Sequence, residues 1–169
     1  MDIRIQHAVR EELLKDYVSF QSKSAATILI DIKTNEIISM VSLPDFNPNF
    51  SINPKLNSYR NTSTLNLYEM GSTFKVFTIA AAFEHSKINL TSNFDASKPL
   101  RVSPKYSIKD YHPENRVLST KEVFLKSSNI GASLIGLKLG GNNLKSFYDD
   151  LGFFDYSSIN IREKAKPKY

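Results

Sequence analysis

The sequence contains no cysteine, which excludes a disulfide framework and any thiolate metal site. The three histidines, His7, His85 and His112, do not share the spacing of metal ligands. Zinc sites built from histidine place these residues a few positions apart, on one helix or in one loop. We therefore expect no metal site and no cofactor.

Long hydrophobic runs are also missing. The N-terminus, "MDIRIQHAVREELL", mixes charged and apolar residues and lacks the continuous apolar core of a signal peptide. No run approaches the roughly 18 apolar residues that a membrane-spanning helix requires. The sequence by itself therefore predicts neither a membrane span nor an export signal, and a cytoplasmic location if the chain is expressed alone.

Positive charge is present but not clustered. The net charge is +5, yet lysine and arginine are scattered among acidic residues along the whole chain. The only local cluster, "REKAKPK" over residues 162–168, is short, contains an acidic residue and is typical of a solvated end. We therefore expect no nucleic-acid partner.

What the sequence does contain is the apolar material of one folded domain: 169 residues, of which 41% are hydrophobic. Apolar residues at intervals of four predict an amphipathic helix over residues 2–19. Two β-branched runs, 26–32 and 37–42, joined by a polar turn, predict a hairpin that packs against this helix. Residues 43–70 are rich in proline and asparagine and predict an irregular loop, a kind of segment that is often functional.

The second half of the chain predicts further helices. The run 74–83 is apolar on nearly every face and predicts a buried helix. Ser119 and Glu122 match a capping box at the start of a short helix. The stretch "IGASLIGLKLGG" predicts a second buried helix that Gly140 and Gly141 end, and Asn142 is expected to cap a last helix that stops at Gly152. A small ribbon is expected within 101–111. The order of helix, hairpin and buried helices predicts the start of a sheet flanked by helices, an α+β (α/β sandwich) fold class.

The stretch "YEMGSTFK", residues 68–75, places Ser72 and Lys75 three positions apart at the start of a helix. Two interpretations fit this spacing. Ser72 is the N-cap of an ordinary helix, or it is a nucleophile with Lys75 as its base, since residues i and i+3 share a helical face. The apolar neighbours of Lys75 favour the second interpretation because they disfavour a charged ammonium group, although the side chain can also extend to water.

A second stretch, "KSSNIG", places Ser127 and Asn129 in the break between two predicted helices. On its own, a Ser-x-Asn in a loop is ordinary turn chemistry. Downstream of a Gly-Ser-x-x-Lys, it matches the second of three motifs of penicilloyl-serine transferases, S-x-x-K, S-x-N and K-T-G.

The stretches "ILIDIKTNEIISMVSLPDFNPN", "YRN", "YEMGSTFK" and "LKSSNIG", in this order, resemble the transpeptidase domain of class B penicillin-binding proteins, and more the septal than the elongation type. The resemblance runs from about Ile5 to Phe154. It implies that Ser72 attacks the penultimate D-Ala carbonyl of a peptidoglycan pentapeptide stem. Lys75 would act as general base, Ser127 would relay protons, and Asn129 would hold the substrate amide. The backbone N–H of Ser72 would supply half of an oxyanion hole, and β-lactams would acylate the same serine.

The third motif of that family, Lys-Thr-Gly or Lys-Ser-Gly, does not occur in the sequence. The triplet Lys33-Thr34-Asn35 does not replace it, because it lies in the first hairpin turn, ahead of the nucleophile. By the resemblance, residues 1–169 are a partial transpeptidase domain without the membrane anchor and the pedestal region of this inner-membrane, periplasmic family. We expect such a fragment to be inactive by itself.

Two other interpretations remain. In the first, the chain is non-catalytic: a remnant, or a docking module that binds a separate C-terminal chain or a divisome partner. In the second, it is a penicillin-sensing or β-lactamase-like domain, which shares the first two motifs. Arg60-Asn61 and the "LPDFNPN" loop argue against this last interpretation by resemblance.

Overall fold

A computed structural model describes residues 1–50 and 59–167 of the chain, in two compact units. Unit 1 comprises residues 1–67 together with 156–169, and unit 2 comprises residues 68–155. None of the helices in the described parts is long and apolar enough to cross a membrane.

Unit 1 begins with a helix and a hairpin, as predicted. Its elements are α1 (Ile3–Ser19), β1 (Ala25–Ile30), β2 (Ile37–Leu43) and α2 (Thr62–Leu65). Asp2 caps α1 by accepting hydrogen bonds from the backbone N–H groups of Arg4 and Ile5. Strands β1 and β2 pair antiparallel, with Ala25 opposite Leu43 and a bulge after Leu29. The expected loop over 43–70 therefore contains one short helix, while residues 51–58 lie outside the described part of the chain.

Helix α1 packs against the hairpin and closes its outer edge. The side-chain amide of Gln6 donates to the carbonyl of Met40 at 2.6 Å and accepts from the N–H of Met40 at 2.9 Å. The backbone N–H of Asp2 donates to the carbonyl of Ile38 at 3.0 Å. Backbone groups on the free edge of β2 thereby find hydrogen-bond partners in α1 and its N-cap, as they would in an added strand.

Unit 2 contains the hydrophobic core. After a 3₁₀ turn, Gly71–Phe74, its helices and strands follow in this order: α3 (Lys75–Glu84), β3 (Asn93–Asp95), β4 (Leu100–Ser103), β5 (Tyr106–Ile108), β6 (Val117–Ser119), α4 (Thr120–Leu125), α5 (Asn129–Leu139) and α6 (Gly141–Asp150). Strands β3 and β6 pair antiparallel, and β4 and β5 form the predicted ribbon. Leu118, Val123 and Ile135 are fully buried at the centre of the cluster.

Helices α3 and α5 lie against each other in this core. Ile79, Ala81 and Ala82 of α3 are buried, and so are Ile130 and Ile135 of α5. A Cβ added at Gly136 would meet the methyl group of Thr78 at 3.5 Å, so the two backbones come close at this point. Both predicted buried helices are confirmed.

The start of α6 differs from the prediction. The sequence favoured Asn142 as the cap, but the helix begins at Gly141, and Gly140 is its N-cap without a side-chain hydrogen bond. Gly140 ends α5 and begins α6, so no residue is left between the two helices to serve as a separate cap. The side chain of Asn143 instead donates to the carbonyl of Leu139 at 2.9 Å, which satisfies one terminal acceptor of α5.

Candidate active site

The Gly-Ser-x-x-Lys motif lies on the 3₁₀ turn that leads into α3. Gly71 has φ +56°, a left-handed conformation that glycine adopts without the cost of a Cβ. This conformation allows the chain to turn sharply into the helix. Ser72 therefore lies on the 3₁₀ turn, and Lys75 is the first residue of α3.

Ser72 does not cap this helix. The N-cap of α3 is Phe74, and the N-cap of the 3₁₀ turn is Met70, neither of which makes a side-chain capping bond. Thr73, not Ser72, bonds locally, through its hydroxyl to the carbonyl of Met70 at 2.6 Å. Ser72 is exposed, and its hydroxyl forms no hydrogen bond within the described part of the chain. The ordinary capped-helix interpretation is therefore wrong.

The amine of Lys75 contacts the second motif. Its Nζ donates to the backbone carbonyl of Ser127 and lies 3.1 Å from the Ser127 hydroxyl. Burial lowers the pKa of Lys75, and the negative charge of Asp110 opposes this shift. The direction agrees with the expectation from its apolar neighbours. A lysine with a lowered pKa has a larger neutral fraction, and the neutral amine can accept a proton.

Ser127 adopts a conformation that serine rarely takes. Its φ is +52°, in the left-handed region. It occupies the position after the end of α4, where the N–H of Ser127 bonds the carbonyl of Phe124 and the N–H of Ser128 bonds that of Val123. This is the Schellman pattern, in which the left-handed residue is most often glycine. Serine costs more there, but it also provides a hydroxyl.

Asn129 is the first residue of α5, and its side chain is already partly engaged. Its amide Nδ2 donates to the carbonyl of Lys109 at 2.8 Å, at the end of the β4–β5 ribbon. One N–H and the amide oxygen remain available, because a single bond uses only one of the two amide hydrogens. Lys75 and Asn129 both line a cavity of about 470 Å³ that also borders the ribbon.

The structure thus brings Lys75 and Ser127 into direct contact and places Asn129 on the same cavity as Lys75. The hydroxyl of Ser72 makes no hydrogen bond to Lys75 or Ser127. The sequence did not predict one participant, Asp110. Its carboxylate accepts hydrogen bonds from Ser128 and Ile130, and its negative charge raises the pKa of Lys75. No spacing rule indicates Asp110, because its partners lie 18 and 20 residues along the chain.

Comparisons with known proteins show which family the chain resembles. The family described as "Penicillin binding protein transpeptidase domain" matches residues 25–165. The chain is 34% identical over 167 residues to the "Probable peptidoglycan D,D-transpeptidase FtsI" of Caulobacter vibrioides, covering 99% of this chain and 28% of that protein. It is 31% identical to the "Probable peptidoglycan D,D-transpeptidase PenA" of Neisseria flavescens, over 90% of this chain and 37% of the relative.

Solved structures give the same fold. The transpeptidase domain of penicillin-binding protein 3 from Burkholderia pseudomallei aligns with a TM-score of 0.81 at 24% identity, over 98% of this chain and 45% of that one. A structure described as a peptidoglycan glycosyltransferase from Burkholderia ambifaria aligns with a TM-score of 0.84 at 22% identity, over 100% of this chain and 49% of that one. The chain spans about a quarter to two fifths of the length of the curated relatives it matches. The α+β fold class is confirmed, for part of the full fold.

Proposed function

Because the chain belongs to the penicillin-binding protein transpeptidase family, we propose that unit 2 carries the nucleophile, the base and the Ser-x-Asn motif of a peptidoglycan D,D-transpeptidase. The observation that carries the proposal is the contact between Lys75 and Ser127, which joins the first motif to the second. The substrates would be the D-Ala-D-Ala ends of stem peptides, and β-lactams would compete for the same serine.

In the first half-reaction, the Ser72 hydroxyl attacks the carbonyl carbon of the penultimate D-Ala, and the neutral amine of Lys75 takes its proton. The C–N bond to the terminal D-Ala then breaks, and the leaving amine receives a proton through the Ser127 hydroxyl. The product is an ester on Ser72. In the second half-reaction, the amine of another stem attacks this ester, the cross-link forms, and the Ser72 hydroxyl is restored.

The 169 residues alone are not expected to complete this reaction. No Lys-Thr-Gly or Lys-Ser-Gly triplet occurs in them. By family resemblance, the strand that carries this triplet binds the substrate carboxylate and gives the second oxyanion donor. Loss of a single oxyanion donor costs about 10²–10³ in kcat. The third motif has to come from residues outside this sequence, in the same polypeptide or in a separate one.

The test uses two probes on the purified chain, with intact mass as the readout. A fluorophosphonate needs only an activated serine: the Ser72 oxygen bonds to phosphorus, fluoride leaves, and Lys75 takes the proton. Benzylpenicillin also needs recognition of its carboxylate. We expect a fluorophosphonate adduct on Ser72 and no penicilloyl adduct on the same time scale.

Matched variants assign the adduct. Ser72→Ala should abolish the fluorophosphonate adduct, Lys75→Met should greatly slow it, and Ser146→Ala, on the exposed face of α6, should leave it unchanged. A folded chain that is not labelled on Ser72 would refute the nucleophile assignment. A rapid penicilloyl adduct would instead show that the third motif is dispensable for acylation.

A specific observation in unit 1 favours a second function, docking of a separate C-terminal chain. The outer edge of β2 is closed by Gln6, whereas β1 pairs with β2 alone among the described strands. The apolar residues Ile28 and Ile30 of β1 are 38% and 47% exposed. An unpaired edge with exposed apolar residues is typical of a strand that accepts a partner strand.

Co-expression with the C-terminal part of the Caulobacter vibrioides relative's transpeptidase domain tests this second function. We expect the two chains to co-purify, with slowed amide hydrogen exchange in β1 and unchanged exchange in α6. Failure to co-purify, or protection confined to other elements, would contradict docking at β1.

A further inference from the structure

The segment between α4 and α5, residues 126–128, is held by a carboxylate from the end of the ribbon. We call this segment the Ser127 turn. Asp110 accepts a hydrogen bond from the Ser128 hydroxyl at 2.8 Å through Oδ2, and from the backbone N–H of Ile130 at 2.9 Å through Oδ1. The two oxygens of one carboxylate thus fix two positions that flank Asn129.

The Ser128 hydroxyl depends on this carboxylate. Ser128 is only 2% exposed, and its oxygen already accepts from the N–H of Gly131 at 2.9 Å as the N-cap of α5. Its own hydrogen therefore needs an acceptor inside the protein, because a buried donor without a partner is costly. Asp110 is that acceptor, and the bond is charge-assisted.

Lys109, the residue before Asp110, adds a further hydrogen bond between the end of the ribbon and the start of α5. The carbonyl of Lys109 accepts from the side chain of Asn129 at 2.8 Å. Residues 109 and 110 therefore hold three consecutive positions, 128 to 130, through three hydrogen bonds. The two bonds to Asp110 are charge-assisted and partly buried, and bonds of this kind restrict a segment more than exposed ones do.

This attachment matters because the Ser127 turn is strained. A left-handed serine persists only where the surrounding structure imposes that conformation. The carbonyl and the hydroxyl that Lys75 contacts both belong to this serine. Whatever fixes positions 128–130 therefore also fixes where the partner groups of Lys75 lie.

We propose that Asp110 is a positioning residue of this active site that holds the Ser127 turn against Lys75. The proposal rests on the function proposed above. The negative charge of Asp110 also changes the pKa of Lys75, in a defined direction. Burial lowers the pKa of Lys75 and Asp110 raises it. Loss of the Asp110 charge should therefore lower this pKa further and increase the neutral fraction of the amine.

Two variants remove the two roles to different extents. Asp110→Asn removes the charge and the acceptor for the Ser128 hydroxyl, and keeps one acceptor for the N–H of Ile130. Asp110→Ala removes the charge and both acceptors. Asp150→Asn, on the exposed surface of α6, is the matched control. The side-chain ¹³C resonances of the lysines, assigned with Lys75→Met, give the pKa of Lys75. The rate of fluorophosphonate labelling, measured over a pH range, gives the acid limb of the pH–rate profile and its limiting rate at high pH.

We expect Asp110→Asn to lower the pKa of Lys75 and to move the acid limb of labelling to lower pH. Asp110→Ala should lower the pKa likewise and, in addition, reduce the limiting rate by at least about tenfold, because the turn loses its hydrogen bonds. Its backbone amide shifts over 127–131 should move, while those of the control stay in place. An unchanged or raised Lys75 pKa in Asp110→Asn would contradict the charge effect, and unmoved amide shifts over 127–131 in Asp110→Ala would overturn the proposal. A limiting rate in Asp110→Ala equal to that of the control would do the same.

The NMR measurement requires no labelling of Ser72. If the unmodified chain is not labelled, the proposed function fails. The Lys75 pKa in Asp110→Asn and the amide shifts of the Ser127 turn in Asp110→Ala still decide whether Asp110 holds the turn and acts on the lysine.

Discussion

At the scale of single residues, the site depends on a serine in a conformation that normally belongs to glycine. Ser127 has φ +52° and contacts Lys75 through both its carbonyl and its hydroxyl. Ser86, after α3, has the same φ of +52° and the same pair of backbone hydrogen bonds, but it lies away from the motifs. A comparison of the two serines therefore separates the free-energy cost of the left-handed conformation from the role of Ser127 in contacting Lys75.

We predict that Ser127→Gly is more stable than Ser127→Ala by about 1 kcal/mol. The left-handed conformation costs roughly 1–2 kcal/mol for a residue with a Cβ, and the greater freedom of glycine in the unfolded chain offsets roughly 0.4–1 kcal/mol of this. Urea denaturation measures the difference. Ser86→Gly and Ser86→Ala should differ by a similar amount, and equal stabilities within both pairs would contradict the strain.

The capping box of α4 gives a residue-scale prediction about pH. Hydrogen bonds from the backbone N–H and the hydroxyl of Ser119, together with the Arg116 guanidinium, lower the pKa of Glu122 to about 2. A carboxyl group whose pKa is lower in the folded chain stabilises it fully above its ordinary value of 4.5, and this stabilisation is lost as the pH falls toward 2.

We therefore predict that Glu122→Gln lowers the unfolding temperature at pH 7 and that its difference from the unmodified chain shrinks as the pH approaches 2. Thermal unfolding followed by circular dichroism at several pH values measures this. Glu69→Gln, an exposed glutamate of unit 2, is the matched control and should not reproduce the convergence. A difference that stays constant with pH would contradict the assignment.

At the scale of elements, the helices end in one recurring pattern and pack through close backbone approaches. The left-handed residue after α1, α3, α4 and α6 is Gln21, Ser86, Ser127 and Gly152, respectively, and in each case two backbone hydrogen bonds return to the preceding turn. The sequence predicted the stop at Gly152 because glycine marks such positions, and it gave no comparable indication at the other three. Within the core, α4 and α5 meet where Gly131 faces Val123.

We predict that Gly131→Ala destabilises the protein by about 1–3 kcal/mol, because a Cβ at this position would lie 2.4 Å from a methyl carbon of Val123. Val123 is buried and cannot turn into solvent. The double variant Gly131→Ala with Val123→Ala should lose less stability than the sum of the two single variants. Gly141→Ala, whose Cβ would meet no atom within 4 Å, is the control, and chemical denaturation is the measurement.

At the scale of the whole molecule, the two units differ in how completely they are packed. The core cluster of buried residues lies within 79–139, in unit 2. In unit 1, α1 has no fully buried residue, and Ile30 of β1 is 47% exposed.

We therefore predict that amide hydrogen exchange is slowest in α3 and α5 and markedly faster in β1 and α1, because local opening of weakly packed elements requires less free energy. Exchange measured by mass spectrometry on the isolated chain tests this. Equal protection of β1 and α5 in the isolated chain would contradict it.

The sequence by itself determined most of the elements and the identity of the motif residues. Helix periodicity, β-branched runs and capping residues are local signals, and α1, the hairpin, the ribbon, the capped α4 and the buried α3 and α5 followed from them. Three features were not predicted, because neighbouring elements decide them: the 3₁₀ turn that contains Ser72, the pairing of β3 with β6, and the start of α6 at Gly141.

Only the tertiary structure decided how the motifs meet. Lys75 contacts Ser127 across 52 residues of sequence, and Asp110 reaches Ser128 across 18. Neither contact follows from spacing, because hydrogen bonds between distant segments depend on how α3, α5 and the ribbon pack around one core. The motifs identify the residue types that the chemistry needs, whereas the packing sets the distances and charges that determine what each residue can do.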